Sequence, residues 1–205
     1  MAYERSGTGL EFDRVAFFSD AIFAIAMTLL VVGIGVPSDL DEGLREARPE
    51  IVSFFISFLV LGNYWLAHHR FFAQLARIDS QLMLYNLVYL AAIAFIPYPT
   101  ALVGKFEDAT VTFLMYAIAL AVASLMETVM FARAHRTGAF RTSLSPAGFR
   151  FGVTASILPV LVFIASMPIA IWWSTTAGLV SWLSVFILEA VAQRWAPSDE
   201  RELFG

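Results

Sequence analysis

Arg14, Ser19 and Asp20 open the first long apolar run of this chain, which continues from Ala21 to Val36. A guanidinium, a hydroxyl and a carboxylate at the mouth of such a run are unusual. Ionisable groups are costly in hydrocarbon, and where they occur they mark a functional site or a paired structural one. Further polar groups sit inside later apolar stretches: Trp65, His68 and His69, then Asn86, Glu127 and Glu189. Buried polar side chains of this kind must satisfy one another. Three chemistries come into question: a hydrogen-bonded lock between helices, proton handling by the imidazoles and carboxylates, and the guidance of ions along a pore.

Other chemistries are poorly supplied. The chain has no cysteine and three histidines among 205 residues. Disulfides and thiolate metal sites are therefore excluded, and His68-His69 has no second histidine-rich box to complete a metal centre. No Gly-x-Ser-x-Gly or His-Glu-x-x-His pattern is present. The expectation is a protein that is not an enzyme, needs no cofactor and does not bind nucleic acid.

The elements that carry these residues must be membrane spans. The composition is 59% hydrophobic and 15% charged, whereas about 25% charged is usual for a soluble domain. A spanning helix needs about 20 mostly apolar residues. Six such segments are expected, over 15–36, 51–72, 82–103, 111–133, 151–169 and 175–196. Pro159 is expected to kink the fifth, and Pro168 with Trp172 and Trp173 to form an outer turn and interface anchor. The whole chain reads as one all-α membrane domain, residues 1–205, with tails of about 1–13 and 197–205.

Basic residues give the orientation. Arg5, Arg14, Arg70, Arg77, Arg133, Arg136, Arg141, Arg150, Arg194 and Arg201 fall on the side of the N-terminus, and only Arg45, Arg48 and Lys105 on the other. By the positive-inside rule both termini are expected in the cytoplasm. The first outer loop is acidic, with Asp39, Asp41, Glu42, Glu46 and Glu50, and with Glu107 and Asp108 it would make the outer face negative. Such a face concentrates cations at a pore mouth, or is simply a solvated loop. Part of it, around Glu42 and Glu46, is expected to be a short surface helix.

On a helical projection Ile25, Leu29 and Val32 fall within about 60° of one another with Thr28 on the flank, while Asp20 lies about 140° from Ile25. If the Ile25 stripe meets a central axis, Asp20 faces the other helices. Counted from the cytoplasmic ends at about 1.5 Å per residue, Asp20, His68, His69, Asn86, Glu127 and Glu189 share one depth. A histidine donating to Asp20, with Ser19 capping a neighbour, is one expected arrangement of this layer. Arg14 is expected to turn aside to a carboxylate such as Asp13 or Asp20. Val32-Gly33-Ile34-Gly35 ends a full-length span with no pore helix before it, so it is not expected to form a carbonyl filter. Leu90 is assigned to the lipid-facing periphery.

Arg14-x-x-x-Phe18-Ser19-Asp20, followed by Ile25, Thr28 and Leu29 and by Trp65 with His68-His69, resembles the signature of the transmembrane protein 175 family. The resemblance implies a homotetrameric, potassium-permeable cation channel of the bacterial inner membrane, with six helices per chain and the first helix lining a central pore. It implies an aliphatic constriction at Ile25, with Thr28 or Leu29 and then Val32 further out, in place of a carbonyl filter. Potassium would be the permeating ion, lipid and identical subunits the partners. Arg14, Phe18, Ser19, Asp20, Trp65, His68, His69 and Asn86 would form the motif and polar network. Proton conduction through the same pore, and a non-conducting membrane scaffold, are the alternatives.

Overall fold

The structure, a computed structural model, describes residues 2–4, 10–36, 43, 45, 47–106 and 109–194. Six helical segments among them are long and apolar enough to cross a membrane: Phe12–Gly33, Arg48–Gln74, Ser80–Lys105, Thr110–Arg136, Pro146–Trp172 and Thr175–Ala192. All six coincide with expected spans. The acidic positions 39, 41, 42, 46, 107 and 108 and the tail 197–205 lie outside the described residues.

Helix α1 is Leu10–Leu29, continued by one 3-10 turn over Leu30–Gly33. Helix α2 is Arg48–Gln74, with a proline in its first turn where no amide donor is lost. After a short strand β2 (Arg77–Asp79) comes α3, Ser80–Phe95, capped by Asp79, whose carboxylate accepts from the Leu82 amide at 2.7 Å. Pro97 starts α4 (Pro97–Lys105) and so breaks the third span in two, a division not anticipated from the apolar run. Helix α5, Thr110–Arg136, ends at Gly138 in the left-handed region, φ 61°. The amides of Gly138 and Ala139 return to the carbonyls of His135 and Ala134, which satisfies the last turn.

Helix α6 is Pro146–Trp172, with Ser145 capping the Gly148 amide. Pro159 and Pro168 both lie inside it, so the outer turn falls later than expected, at Trp173-Ser174. Trp172 and Trp173 are nearly fully exposed there, as residues of an interfacial aromatic belt are. The last span is two helices, α7 (Thr175–Ser181) and α8 (Leu183–Arg194), parted at Trp182, whose indole N–H donates to Ser166 of α6 at 2.9 Å.

Helix α5 is the hub, packed on α3 and α6. Ala117, Ala121, Ser124 and Thr128 recur every third or fourth residue on its buried side, and small residues let neighbouring backbones approach. Helix α1 packs on α3 and α2 at the margin of the bundle. Its outer end is held closely: a Cβ at Gly33 would stand 2.9 Å from the Cβ of Ala101, so only glycine fits against α4. Gly33 therefore fixes a close approach, whereas a side chain at position 35 would make only ordinary contact with Glu50. Glu50 accepts from the Gly35 amide at 2.8 Å, which ties the exit of α1 to the start of α2. Leu90 is 3% exposed; it belongs to the core, not to the periphery.

On the arginine-rich side, strand β1 (Ala2–Glu4) pairs antiparallel with β2, Tyr3 opposite Ile78. Asp79 also pairs with Arg133 of α5 at 2.6 Å. Burial works against its charge, but the Leu82 amide and the Arg133 guanidinium outweigh that and hold the carboxyl below its ordinary value.

Candidate functional site: the exposed face of the first helix and its polar anchor

One side of α1 is packed and another is open. Phe12, Ser19, Phe23, Ala26 and Leu30 are buried against the rest of the protomer. Arg14, Phe18, Ala21, Ile25, Thr28, Leu29 and Val32 are exposed. These seven fall within about 60° either side of Ile25 on the helical projection, while Phe17, Ala24 and Val31, also exposed, lie further round to one side. Ile25 is 54% exposed and Val32 74%. An aliphatic row with an arginine at its foot thus lies open along the length of the helix. Phe18 shares this row, a position that the motif alone does not reveal. The Thr28 hydroxyl returns to the Ile25 carbonyl at 2.8 Å, which leaves its oxygen lone pairs and methyl on the open face.

The buried side is fastened by a chain of hydrogen bonds. The Ser19 hydroxyl donates to the Val15 carbonyl at 2.9 Å. Its single proton is thereby used, so it accepts from Asn86 Nδ2 at 3.0 Å. That orients the Asn86 amide and leaves its oxygen facing His68 Nε2 at 2.9 Å, so Nε2 carries the donating proton. The imidazole is clamped between rings, stacked on Tyr89 at 5.3 Å and on Phe72 at 4.2 Å between centroids. One turn away, Trp65 Nε1 donates to the Asp20 carboxylate at 2.9 Å.

This corrects the expected pairing. His68 serves Asn86, and Asp20 takes its proton donor from the indole. Tryptophan and histidine at 65 and 68 are neighbours on one helix face, and residue type alone could not say which reaches α1. His69 is exposed and packs on the Trp65 ring at 5.5 Å. Arg14 is exposed in the protomer. The layer continues deeper into the bundle: Tyr89 donates to Glu127 at 3.0 Å, and Tyr64 shares a 2.6 Å hydrogen bond with Ser124. Tyr64, Tyr89, Ser57 and Tyr116 were not singled out from sequence, because tyrosine and serine are unremarkable in apolar helices until their partners are known. Among the described residues no group of histidines and carboxylates is arranged to hold a metal ion.

Residues 14–97, which contain both the motif helix and the Trp65–His69 segment, match the family described as endosomal/lysosomal potassium channel TMEM175. A potassium channel of Streptomyces collinus is 40% identical over 129 residues, 56% of this chain and 63% of that protein. A potassium channel of Chamaesiphon minutus is 38% identical over 51% of this chain and 53% of its own length. The matched region thus spans between half and two thirds of these relatives. The Danio rerio relative, named endosomal/lysosomal proton channel TMEM175, is 27% identical over 57% of this chain and 24% of its own length. In three dimensions, the crystal structure of a TMEM175 homologue from Chamaesiphon minutus superposes with a TM-score of 0.74 at 24% identity, over 87% of this chain and 98% of that one. Over residues 14–97 this chain is thus similar to the TMEM175 family, and its six-helix fold is similar to that of the Chamaesiphon homologue.

Proposed function

We propose that this chain is one subunit of a potassium-permeable cation channel, a homotetramer whose four α1 helices surround the conduction path. The single observation that carries the reading is the open row of Arg14, Phe18, Ile25, Thr28 and Val32 on a helix that packs on its own protomer through Phe12, Ser19, Phe23, Ala26 and Leu30. One protomer encloses no path along this row, so identical copies must close it, most simply as a ring. The names of the Streptomyces and Chamaesiphon relatives support potassium as the ion.

An aliphatic ring conducts differently from a carbonyl filter. It offers no replacement for the hydration shell and closes by dewetting, so Ile25 acts as the constriction and gate. Leu29 and Val32 extend the wall outward, and Thr28 supplies hydroxyl oxygens beside the narrowest point. Selectivity arising this way is modest. On this reading the protein sits in a bacterial cell membrane with both termini in the cytoplasm, an orientation that the arginine distribution supports.

Proton conduction is the second reading, favoured by the name of the animal relatives. Reconstituted protein in liposomes, with potassium, sodium and proton gradients imposed in turn, separates the two. Potassium flux exceeding sodium flux, with proton flux minor, supports the proposal. Flux driven only by the proton gradient supports the second reading, and no flux from folded oligomers supports a scaffold.

A further inference from the structure

Away from α1, a cavity of about 190 Å³ lies between α2, α5, α6 and α8. A second, of about 70 Å³, shares Asn63, Ala67, Glu127, Pro159 and Glu189 with it. The larger one is lined mainly by apolar side chains, among them Phe71, Phe131 and Phe151. A Cβ at position 152 would collide with the Phe131 ring, so glycine there lets that ring lie directly on α6.

The charged groups around this space answer one another. Glu127 accepts from Tyr89 at 3.0 Å, and Arg70 acts on both Glu127 and Glu189. A cation entering the cavity would compete with Arg70, and an anion would face two carboxyls. One polar group is left over. The Asn63 side-chain amide stands where the two cavities meet, and it has no hydrogen-bond partner among the described residues. Two N–H donors and a carbonyl without partners are costly inside a membrane. On the opposite wall, Pro159 has no amide to give to the carbonyl of Ala155, one turn earlier in α6.

Size and chemistry agree on one kind of occupant. A cavity of about 150 Å³ accommodates benzene, so the larger one has space for a substituted ring. Its aromatic walls suit such a ring. A plain hydrocarbon would leave Asn63 unserved, whereas a hydroxyl accepts from its N–H and donates onward.

We propose that the larger cavity binds a small uncharged aromatic alcohol, its ring among Phe71, Phe131 and Phe151 and its hydroxyl on Asn63. His68 lines the same cavity and bonds Asn86, so the occupant touches the network that anchors α1. The site is separate from the exposed row of α1 and does not rest on what crosses the pore.

The test uses the full chain in detergent with 4-fluorobenzyl alcohol as probe, followed by fluorine NMR against empty micelles. Saturable binding at one site per chain is expected, about tenfold tighter than that of 4-fluorotoluene, which lacks the hydroxyl. The charged analogues 4-fluorobenzylammonium and 4-fluorobenzoate are expected to bind more weakly than the alcohol. Asn63→Leu removes the amide at similar volume and is expected to abolish the preference for the alcohol. Ala67→Phe fills the junction and is expected to abolish saturable binding; should that variant fail to fold, Asn63→Leu decides. Partition no different from that into empty micelles overturns the proposal, and leaves the cavity to water. So does equal binding of 4-fluorotoluene, tighter binding of either charged analogue, or a preference for the alcohol that survives Asn63→Leu.

Discussion

The indole of Trp65 and the carboxylate of Asp20, 45 residues apart in sequence, meet at 2.9 Å and join α2 to the first helix. Both are half-buried, so the pair works where water competes only partly. Trp65→Phe keeps the packing but removes the donor and leaves the carboxylate short of a partner. The expected loss is about 1 kcal/mol, between the values usual for buried hydrogen bonds in water and in bilayers. A double-mutant cycle with Asp20→Asn, read by thermal unfolding in detergent, should show coupling; strictly additive losses would mean that the contact contributes nothing.

The arginine-rich end responds to acid through Asp79. Its folded-state carboxyl titrates below the ordinary value of 3.8, so its contribution is complete above that value and is lost as pH falls through the lower folded one. Stability measured from pH 6 to pH 3 should therefore decline at the acid end. Arg133→Gln should lower stability at pH 6 and flatten the decline. An unchanged acid limb in that variant would remove the Asp79–Arg133 pair from the explanation.

Gly33 reports on how the outer end of α1 is held. A Cβ there would stand 2.9 Å from the Ala101 Cβ and 3.5 Å from its Cα, so a larger residue forces the two helices to shift. Gly33→Val should cost about 1–3 kcal/mol, as other overpacked sites do. Pairing it with Ala101→Gly should recover much of the loss in thermal stability. Failure of that rescue would show that the close approach is not what requires glycine.

What could be read from sequence followed from signals that survive without partners. Six apolar runs with a biased arginine distribution define six spans, because the bilayer imposes length and polarity on each one independently. The stripe of Ile25, Leu29 and Val32 and its opposition to Asp20 follow from helical geometry alone. Partner choice does not. Trp65, His68 and His69 are all able to donate, and only the packing of α2 against α1 and α3 assigns the indole to Asp20 and His68 to Asn86. The breaks at Pro97 and Trp182 were hidden for a related reason: both lie inside continuous apolar runs, where hydropathy stays high while the helix changes course. Pro168 misled in the opposite direction, since a spanning helix tolerates an internal proline where neighbouring groups satisfy the freed carbonyl.

Conduction should respond to the exposed row and not to the buried side. Ile25→Asn places an amide in the proposed ring, wets it and should raise basal potassium flux several-fold. Thr28→Val should reduce discrimination between potassium and sodium while leaving assembly intact. Liposome flux at matched protein amounts compares the two; flux and selectivity unchanged in both would reduce the row to packing.

The most direct measurement exploits the absence of cysteine from this chain. Ile25→Cys introduces a single thiol at the proposed constriction, and Ala26→Cys introduces one on the buried side of the same helix. A small, charged, thiol-reactive reagent is applied to reconstituted protein while potassium flux is followed. The pore assignment predicts progressive block of Ile25→Cys, slowed by a high concentration of permeant potassium, and no effect on Ala26→Cys. Rapid modification of Ile25→Cys with undiminished flux would contradict it, because a residue at the constriction cannot carry an added charged group and leave the path unchanged.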